Sequence, residues 1–321
     1  MNLTQRQLLM FVTTARLTNF SRASEILHIS QPALSRALAE LEAQLGVKLI
    51  QRTTRQVMLT PEGERFLPQA QHLLKDMDCA VVNLREDAKG LSGRVSLAVG
   101  TAFGCTVLPH VVGDFAASHP AVRLRVIDDN SAGIALRVAR AEVDLGVGSL
   151  VGNTSALESE LLLSARLGLL GNPKLFPMAV ALRKTDLSKL PLLNEPIDTS
   201  IMQELQRHGS ELVSQMERGT EVSSLALQLA LAQAGVGVAV VSALGASHPQ
   251  ASGLRFVPIQ PAVNRDVFVF WRRDRALSAS AQALVSVIRM GVANAKLHVG
   301  VTKKLINCVL KGNIDSPRPV T

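Results

Sequence analysis

Ser30-Gln31-Pro32-Ala33-Leu34-Ser35-Arg36-Ala37-Leu38-Ala39-Glu40-Leu41-Glu42-Ala43-Gln44-Leu45-Gly46 is the stretch on which the fold turns. It reads as one helix with both ends specified. Ser30 can cap it, Pro32 suits a first turn whose amides lack intrahelical partners, and Gly46 can stop it. Leu34, Ala37, Leu38, Leu41 and Leu45 share one face at helical spacing. Pro32, Ser35, Arg36 and Ala39 then point outward or flank that face, with Gln31 at the helix start. Small residues let a helix sit close in a DNA major groove, and Gln, Ser and Arg can hydrogen-bond base edges and phosphates.

Upstream, Thr4 can cap a helix carrying Leu8, Phe11, Val12 and Ala15, and a second helix after Ser21 is expected to bury Ala23, Ile26 and Leu27. His28-Ile29-Ser30 is the short turn between that helix and the one quoted above. Two short helices, a tight turn and a small Ala23 at the crossing describe a helix-turn-helix. Downstream, residues 48–60 read as a two-stranded wing with a polar tip, from which Arg52 and Arg55 could reach phosphates or a minor groove. On composition alone, a small helical domain with a solvated basic face stays open as an alternative.

Thr60-Pro61 opens another helix, in which Phe66, Ala70, Leu73, Met77, Ala80 and Leu84 recur at alternating spacings of four and three. Leu67, Leu74, Val81 and Ala88 recur every seven on the next stripe. Such a face is wide enough to bury against the same helix of a second subunit, which would set two recognition helices on successive faces of a duplex. Packing of a lone helix on its own domain is the alternative, and Pro68 is expected to bend the helix near its start. Gly90-Leu91-Ser92-Gly93 reads as a hinge.

Residues 3–63 resemble the DNA-binding domain of LysR-type transcriptional regulators. Phe11, Phe20, Ser21, Ala23, Ser24, Leu27, the run Ser30-Gln31-Pro32-Ala33-Leu34-Ser35, Leu41-Glu42, Leu45-Gly46, Leu49, Arg52 and Leu59-Thr60-Pro61-Glu62-Gly63 carry the resemblance. Ile50 stands where the family usually has Phe. The resemblance implies DNA contacts by Gln31, Pro32, Ser35 and Arg36, with Arg52 and Arg55 in the wing. It also implies dimerisation through the linker helix, association into a homotetramer that bends DNA, and RNA polymerase as a partner if the protein activates.

Beyond Arg94 the period changes. Val95, Leu97 and Val99 alternate; Val122–Ile127 and Val143–Gly148 form further strands, with helices between. A second set follows at Met178–Leu182, Thr199–His208, Val222–Ala234 and Val236–Val241, and Val267–Trp271 and Ser280–Val292 return to the first. This predicts a two-lobed α/β domain with a largely parallel sheet, so the chain as a whole is α/β. Ligands in such folds bind outside the carboxyl ends of strands, where helix N-termini present free amides. Thr101, Asn130, Ser131, Ser149, Thr199 and Ser200 sit at such junctions, as does the Glu221–Ser223 turn. Each alone is more often a helix cap than a ligand contact; their convergence favours a small anion, typically a carboxylate.

The runs Arg94–Gly100, His119–Leu124, Glu142–Gly148 and Ala234–Val240 resemble the effector-binding domain of the same family, itself similar to periplasmic binding proteins. The matching loops start at Thr101, Asn130, Ser149, Thr199 and Val222, and residues 149–177 depart most from the usual pattern. The expected organisation is therefore 1–60 winged helix-turn-helix, 61–89 linker helix, and 90–293 effector domain. Within the last, lobe I covers about 94–160 and 266–293 and lobe II about 161–265. Residues 294–321 read as a solvated or disordered basic tail.

The totals agree with this reading. The chain has 321 residues and a formal charge of +8, of which residues 1–60 contribute seven Lys/Arg against three Asp/Glu. A basic head on a neutral body suits a nucleic-acid reader attached to something else. Aromatics at 3% argue against base-stacking platforms. No G-x-G-x-x-G, P-loop, G-x-S-x-G or paired-His motif points to an enzyme, a metal or a cofactor, and none is expected. Cys79, Cys105 and Cys308 have no paired spacing, and the lack of Cys in 160–265 argues against the paired-cysteine sensing of some relatives. The N-terminal apolar run is too short for a secretory signal or a span, so a cytoplasmic protein is expected, with no membrane partner.

Overall fold

The computed structural model describes residues 3–52, 57–71, 73–74, 77, 91–176, 182–183, 187, 189–209, 214 and 219–304. The head opens with helices α1 (Gln5–Leu17), α2 (Phe20–Ile26) and α3 (Gln31–Leu45). Thr4 caps α1 in a reciprocal pair with Gln7, and Ser30 accepts from the Ala33 amide at the start of α3. Gly46 ends α3 at φ 71°, a left-handed conformation that disfavours a side chain. Leu8, Phe11, Ala23, Leu34, Leu38 and Leu41 form the buried centre.

The sequence places α2 slightly late, because Asn19 rather than a later residue caps it. Ile26, expected inside, is 56% exposed. The last turn of so short a helix rotates away from the core, and Leu27 and Ile29 pack against it instead.

Strands β1 (Ile50–Arg52) and β2 (Val57–Leu59) pair antiparallel, Ile50 opposite Leu59, as the wing. Linker helix α4 follows over residues 61–71 and runs unbroken through Pro68. Phe66 meets Phe11 at 5.5 Å between ring centroids, and Ala70 is buried beside it. Leu73 and Met77, on the predicted pairing stripe, are exposed. Ala80, Val81, Leu84 and Ala88 lie outside the described residues.

The remainder is two α/β lobes sharing long strands. Lobe I contains β3 (Gly93–Val99), α5 (Thr101–Thr106), α6 (Leu108–Ser118), β4 (Val122–Asp128), α7 (Ser131–Ala139) and β5 (Leu145–Gly148). β3 lies parallel between β4 and β5, and it is buried from Val95 to Val99, the polar Ser96 included. β6 (Leu157–Gly171) then crosses into lobe II, which holds β7 (Leu182–Arg183), β8 (Leu192–Asn194), α8 (Ser200–Arg207), β9 (Thr220–Glu221), α9 (Leu225–Gln233), β10 (Val238–Ser242) and β11 (Arg255–Gln260). β12 (Asn264–Arg272) returns antiparallel to β6 along its length, and α10 (Ala279–Asn294) packs on lobe I. The sheet order is β4-β3-β5-β12-β6-β10-β8-β9, with β11 also on β6.

Among the described residues, parallel pairing is confined to β3, β4 and β5 in one lobe and to β8, β9, β10 and the β7–β11 pair in the other; the crossing strands are antiparallel. Val222–Ala234 is not one helix, since Ser224 caps α9 and Val222 sits in the lobe II core. The expected strand from Met178 lies largely outside the described residues.

The tail is shorter than the sequence suggests. Residues 301–303 form β13 (Val301–Lys303) against Leu163–Ala165 of β6, and Leu297 and Val301 pack against the core. Lys303 donates to the carbonyls of Ala293 and Ala295, where the end of α10 leaves acceptors unpaired. The lysines read as a solvated run thus serve partly as a helix cap. Residues 305–321 lie outside the described residues.

Candidate functional site

Two surfaces collect the residues singled out above. On the head, Gln31, Pro32 and Arg36 are exposed along the N-terminal half of α3, and Ser35 is half-buried beside them. The Ser21 hydroxyl donates to Gln31 Oε1 at 3.4 Å, so α2 helps to orient the first polar residue of α3. Arg52 ends β1 opposite Val57, and Arg55 lies outside the described residues.

A carboxylate the functional reading did not use fixes the wing to α3. Glu42 is buried, accepts from the amides of Leu49 at 3.0 Å and Ile50 at 3.1 Å, and pairs with Lys48 at 2.7 Å. Burial would raise this carboxyl, but Lys48 and the two amides outweigh it and hold it below the ordinary value. Thr60 fixes the other side of the wing. Its hydroxyl donates to the Lys48 carbonyl at 2.6 Å and accepts from the Gly63 amide at 3.0 Å, capping α4.

The second surface is the cleft between the lobes, a cavity of about 130 Å³. Thr101, Asn130, Ser131, Thr199 and Ser200, five of the seven residues expected at an effector, line it. They converge because α5, α7 and α8 all start at the cleft. The Ser131 hydroxyl of lobe I donates to Ser200 Oγ of lobe II at 3.1 Å. Thr101 donates to the Asp128 carboxylate at 3.0 Å, and Asn130 accepts from the Gly133 amide as the cap of α7. Thr199 caps α8.

The other two stand apart. Ser149 donates to the Asp266 carbonyl at 2.6 Å, tying β5 to β12, and is absent from the lining. Val222 is buried against Leu193 and Leu229, and Ser223 takes the place at the cleft that Val222 was expected to hold.

Sequence reasoning missed the charged groups of the cavity, of which Asp129 pairs with Arg137 and Arg265 and Glu195 have no ion pair among the described residues. Arg265, at the start of β12, donates through Nε to Ser200 Oγ at 2.9 Å. Among the described residues none accepts from its two terminal amino groups. Burial lowers its guanidinium from the ordinary value, against the opposing pull of Glu195 and Glu204. Glu195, just after β8, lines the same cavity and accepts from the Thr199 hydroxyl; burial pushes its carboxyl up despite Arg265 and that hydrogen bond. An acid four residues ahead of a helix cap, and an arginine at the start of an apolar strand, were the available signals. Neither is near the other in the chain.

Cys105 is a half-buried free thiol, raised by burial and by Asp128, which disfavours the reactive thiolate. Among the described residues no group of His, Cys, Asp and Glu could hold a metal ion, and no helix is long and apolar enough to cross a membrane.

Comparison with known proteins covers both halves. Residues 5–64 match the bacterial regulatory helix-turn-helix proteins of the lysR family, and residues 88–293 match the LysR substrate binding domain. YfeR of Shigella flexneri, an uncharacterised HTH-type transcriptional regulator, is 28% identical over 307 residues, covering 90% of this chain and 94% of YfeR. A full-length OxyR variant from Pseudomonas aeruginosa has the same fold, with a TM-score of 0.68 at 23% identity over 95% of this chain and all of that one. CbnR in complex with its target DNA is similar at a TM-score of 0.60 and 21% identity, over 90% of this chain and 100% of CbnR.

Proposed function

The chain belongs to the LysR family of DNA-binding transcriptional regulators, with an effector-binding domain behind its helix-turn-helix, and on that premise we propose that a small carboxylate held between the lobes controls how the protein grips double-stranded DNA. The observation that carries the effector class is the meeting of Ser131, Ser200 and Arg265 at the N-termini of α7 and α8. Hydroxyls, helix amides and a guanidinium with free donors together select an anion that accepts several hydrogen bonds. The ligand shifts the protein only by binding one arrangement of the lobes better than another.

Gln31, Pro32, Ser35 and Arg36 on α3 make the proposed groove contacts, and Arg52 and Arg55 the wing contacts. The exposed Leu73 and Met77 stripe supports pairing of linker helices into a homodimer, and two dimers into a homotetramer. RNA polymerase is the further partner at promoters the protein activates.

Two variants separate the roles. Arg36→Ala is expected to weaken operator binding by about 1–3 kcal/mol while leaving ligand affinity unchanged, measured by DNA titration and calorimetry. Loss of both would contradict modular halves. Acetate, benzoate, succinate and citrate are expected to include at least one acid that raises the thermal midpoint and alters the DNA footprint. Ser200→Ala should weaken that acid about threefold to tenfold. If no compound bearing a carboxylate stabilises the protein, the carboxylate reading fails.

A further inference from the structure

Arg265 and Glu195 present opposite charges to one small cavity without meeting each other. Each is anchored on its own side, Arg265 through Nε to Ser200 and Glu195 by the Thr199 hydroxyl. No ion pair joins them, although each acts electrostatically on the other. Asp129 also lines the cavity, and its carboxylate pairs with Arg137, whose Nε lies 2.7 Å away and which pairs with Glu142 as well. The ionisable groups lining the cavity that have no ion pair among the described residues are therefore one guanidinium and one carboxyl, a set that a plain anion does not match. A carboxylate entering alone would satisfy Arg265 but offer the Glu195 carboxyl no cationic partner in about 130 Å³. A plain amine would do the reverse to Arg265.

Resting on the reading of this cleft as the ligand site, we propose that its ligand is a zwitterion of the amino-acid type, its carboxylate on Arg265 and Ser131 and its ammonium on Glu195. The two terminal amino groups of Arg265 form the fork that a carboxylate accepts from in bidentate fashion. The ammonium supplies Glu195 with an ion-pair partner, which none of the described residues provides. Phe103, Ile201 and Leu244 line the remainder, so the side chain that fits is small and largely apolar. Because Ser131 belongs to lobe I while Arg265 and Glu195 lie on the crossing strand and lobe II, such a molecule touches both lobes, which Ser131 and Ser200 already join.

The test is calorimetry and thermal unfolding of the full chain with alanine, serine and leucine, each beside its acid without the amine: propionate, 3-hydroxypropionate and 4-methylpentanoate. At least one amino acid is expected to bind tenfold or more tightly than its matched acid. Glu195→Gln should bring that ratio close to one without weakening the matched acid, and Arg265→Gln should weaken both members by tenfold or more. Arg265→Lys, which keeps the charge, guards against a folding defect and should retain part of the binding. An acid that binds as well as its amino acid, in an Arg265-dependent way, overturns the zwitterion and leaves the carboxylate reading standing. A preference for the amino acid that Glu195→Gln leaves intact overturns the role of Glu195. Failure of every compound in both sets removes the zwitterion and the carboxylate together.

Discussion

Replacing Glu42 with alanine is expected to lower the stability of the DNA-binding head by about 2–4 kcal/mol and to weaken operator binding with it. The side chain is buried and accepts from two amides at the α3–wing junction. Deleting it takes that acceptor from the Leu49 and Ile50 amides in the core, and each such loss is worth about 1–3 kcal/mol. The exposed Lys48 partner adds little, because water screens it. The same contacts give a pH dependence. The folded carboxyl lies below its ordinary 4.5, so its contribution is full above that value and is lost as pH falls through the folded value. Urea unfolding of wild type and Glu42→Ala should therefore differ most near neutrality and converge in acid. A gap unchanged at low pH would show that packing, not the charge, carries the effect.

Gly63→Ala is expected to destabilise by a comparable amount, about 2–4 kcal/mol, for a different reason. A Cβ there would lie 2.1 Å from the Leu49 carbonyl oxygen and 3.1 Å from Leu59 Cδ2. The obstacle is backbone, which cannot swing aside, so α4 must move away from the wing and the Gly63 amide from Thr60. Alanine gains about 1 kcal/mol in helix propensity over glycine, too little to win. Gly113→Ala in α6 is the matched control. Nothing lies within 4 Å of a Cβ there, and the propensity gain should appear as a stabilisation of up to about 1 kcal/mol. Thermal midpoints of the two variants moving in the same direction would contradict this packing of α4.

These two sites also show why the head was legible in the chain and much of the rest was not. Caps, terminators and a 3.6-residue period are local signals, and Thr4, Ser30, Gly46 and the leucines of α3 carry them within one stretch. Ile26 misled because its helix is only seven residues long, too short for the period to fix its last turn. β6 escaped the reading although it is the longest strand among the described residues. Its run Leu157–Gly171 is rich in leucine rather than in β-branched residues, and pairing on both edges, not propensity, makes it a strand. In the cleft, capping chemistry identified Asn130, Ser131, Thr199 and Ser200 because a helix start leaves a mark in the sequence. Arg265 and Glu195 are brought together by the return of β12 across β6, a long-range fact with no local trace. Ser149 and Val222 had the right kind of position, but one is turned toward β12 and the other into the lobe II core.

The central claim is that the α3 surface reads DNA as part of a dyad-related dimer. Its most direct test is a salt titration of binding to duplex DNA from the region upstream of the protein's own gene, against an unrelated duplex as competitor. The account predicts selective binding that survives moderate salt and leaves a footprint with dyad symmetry. Binding that ignores sequence and vanishes at moderate salt would contradict it, reducing the head to a basic surface.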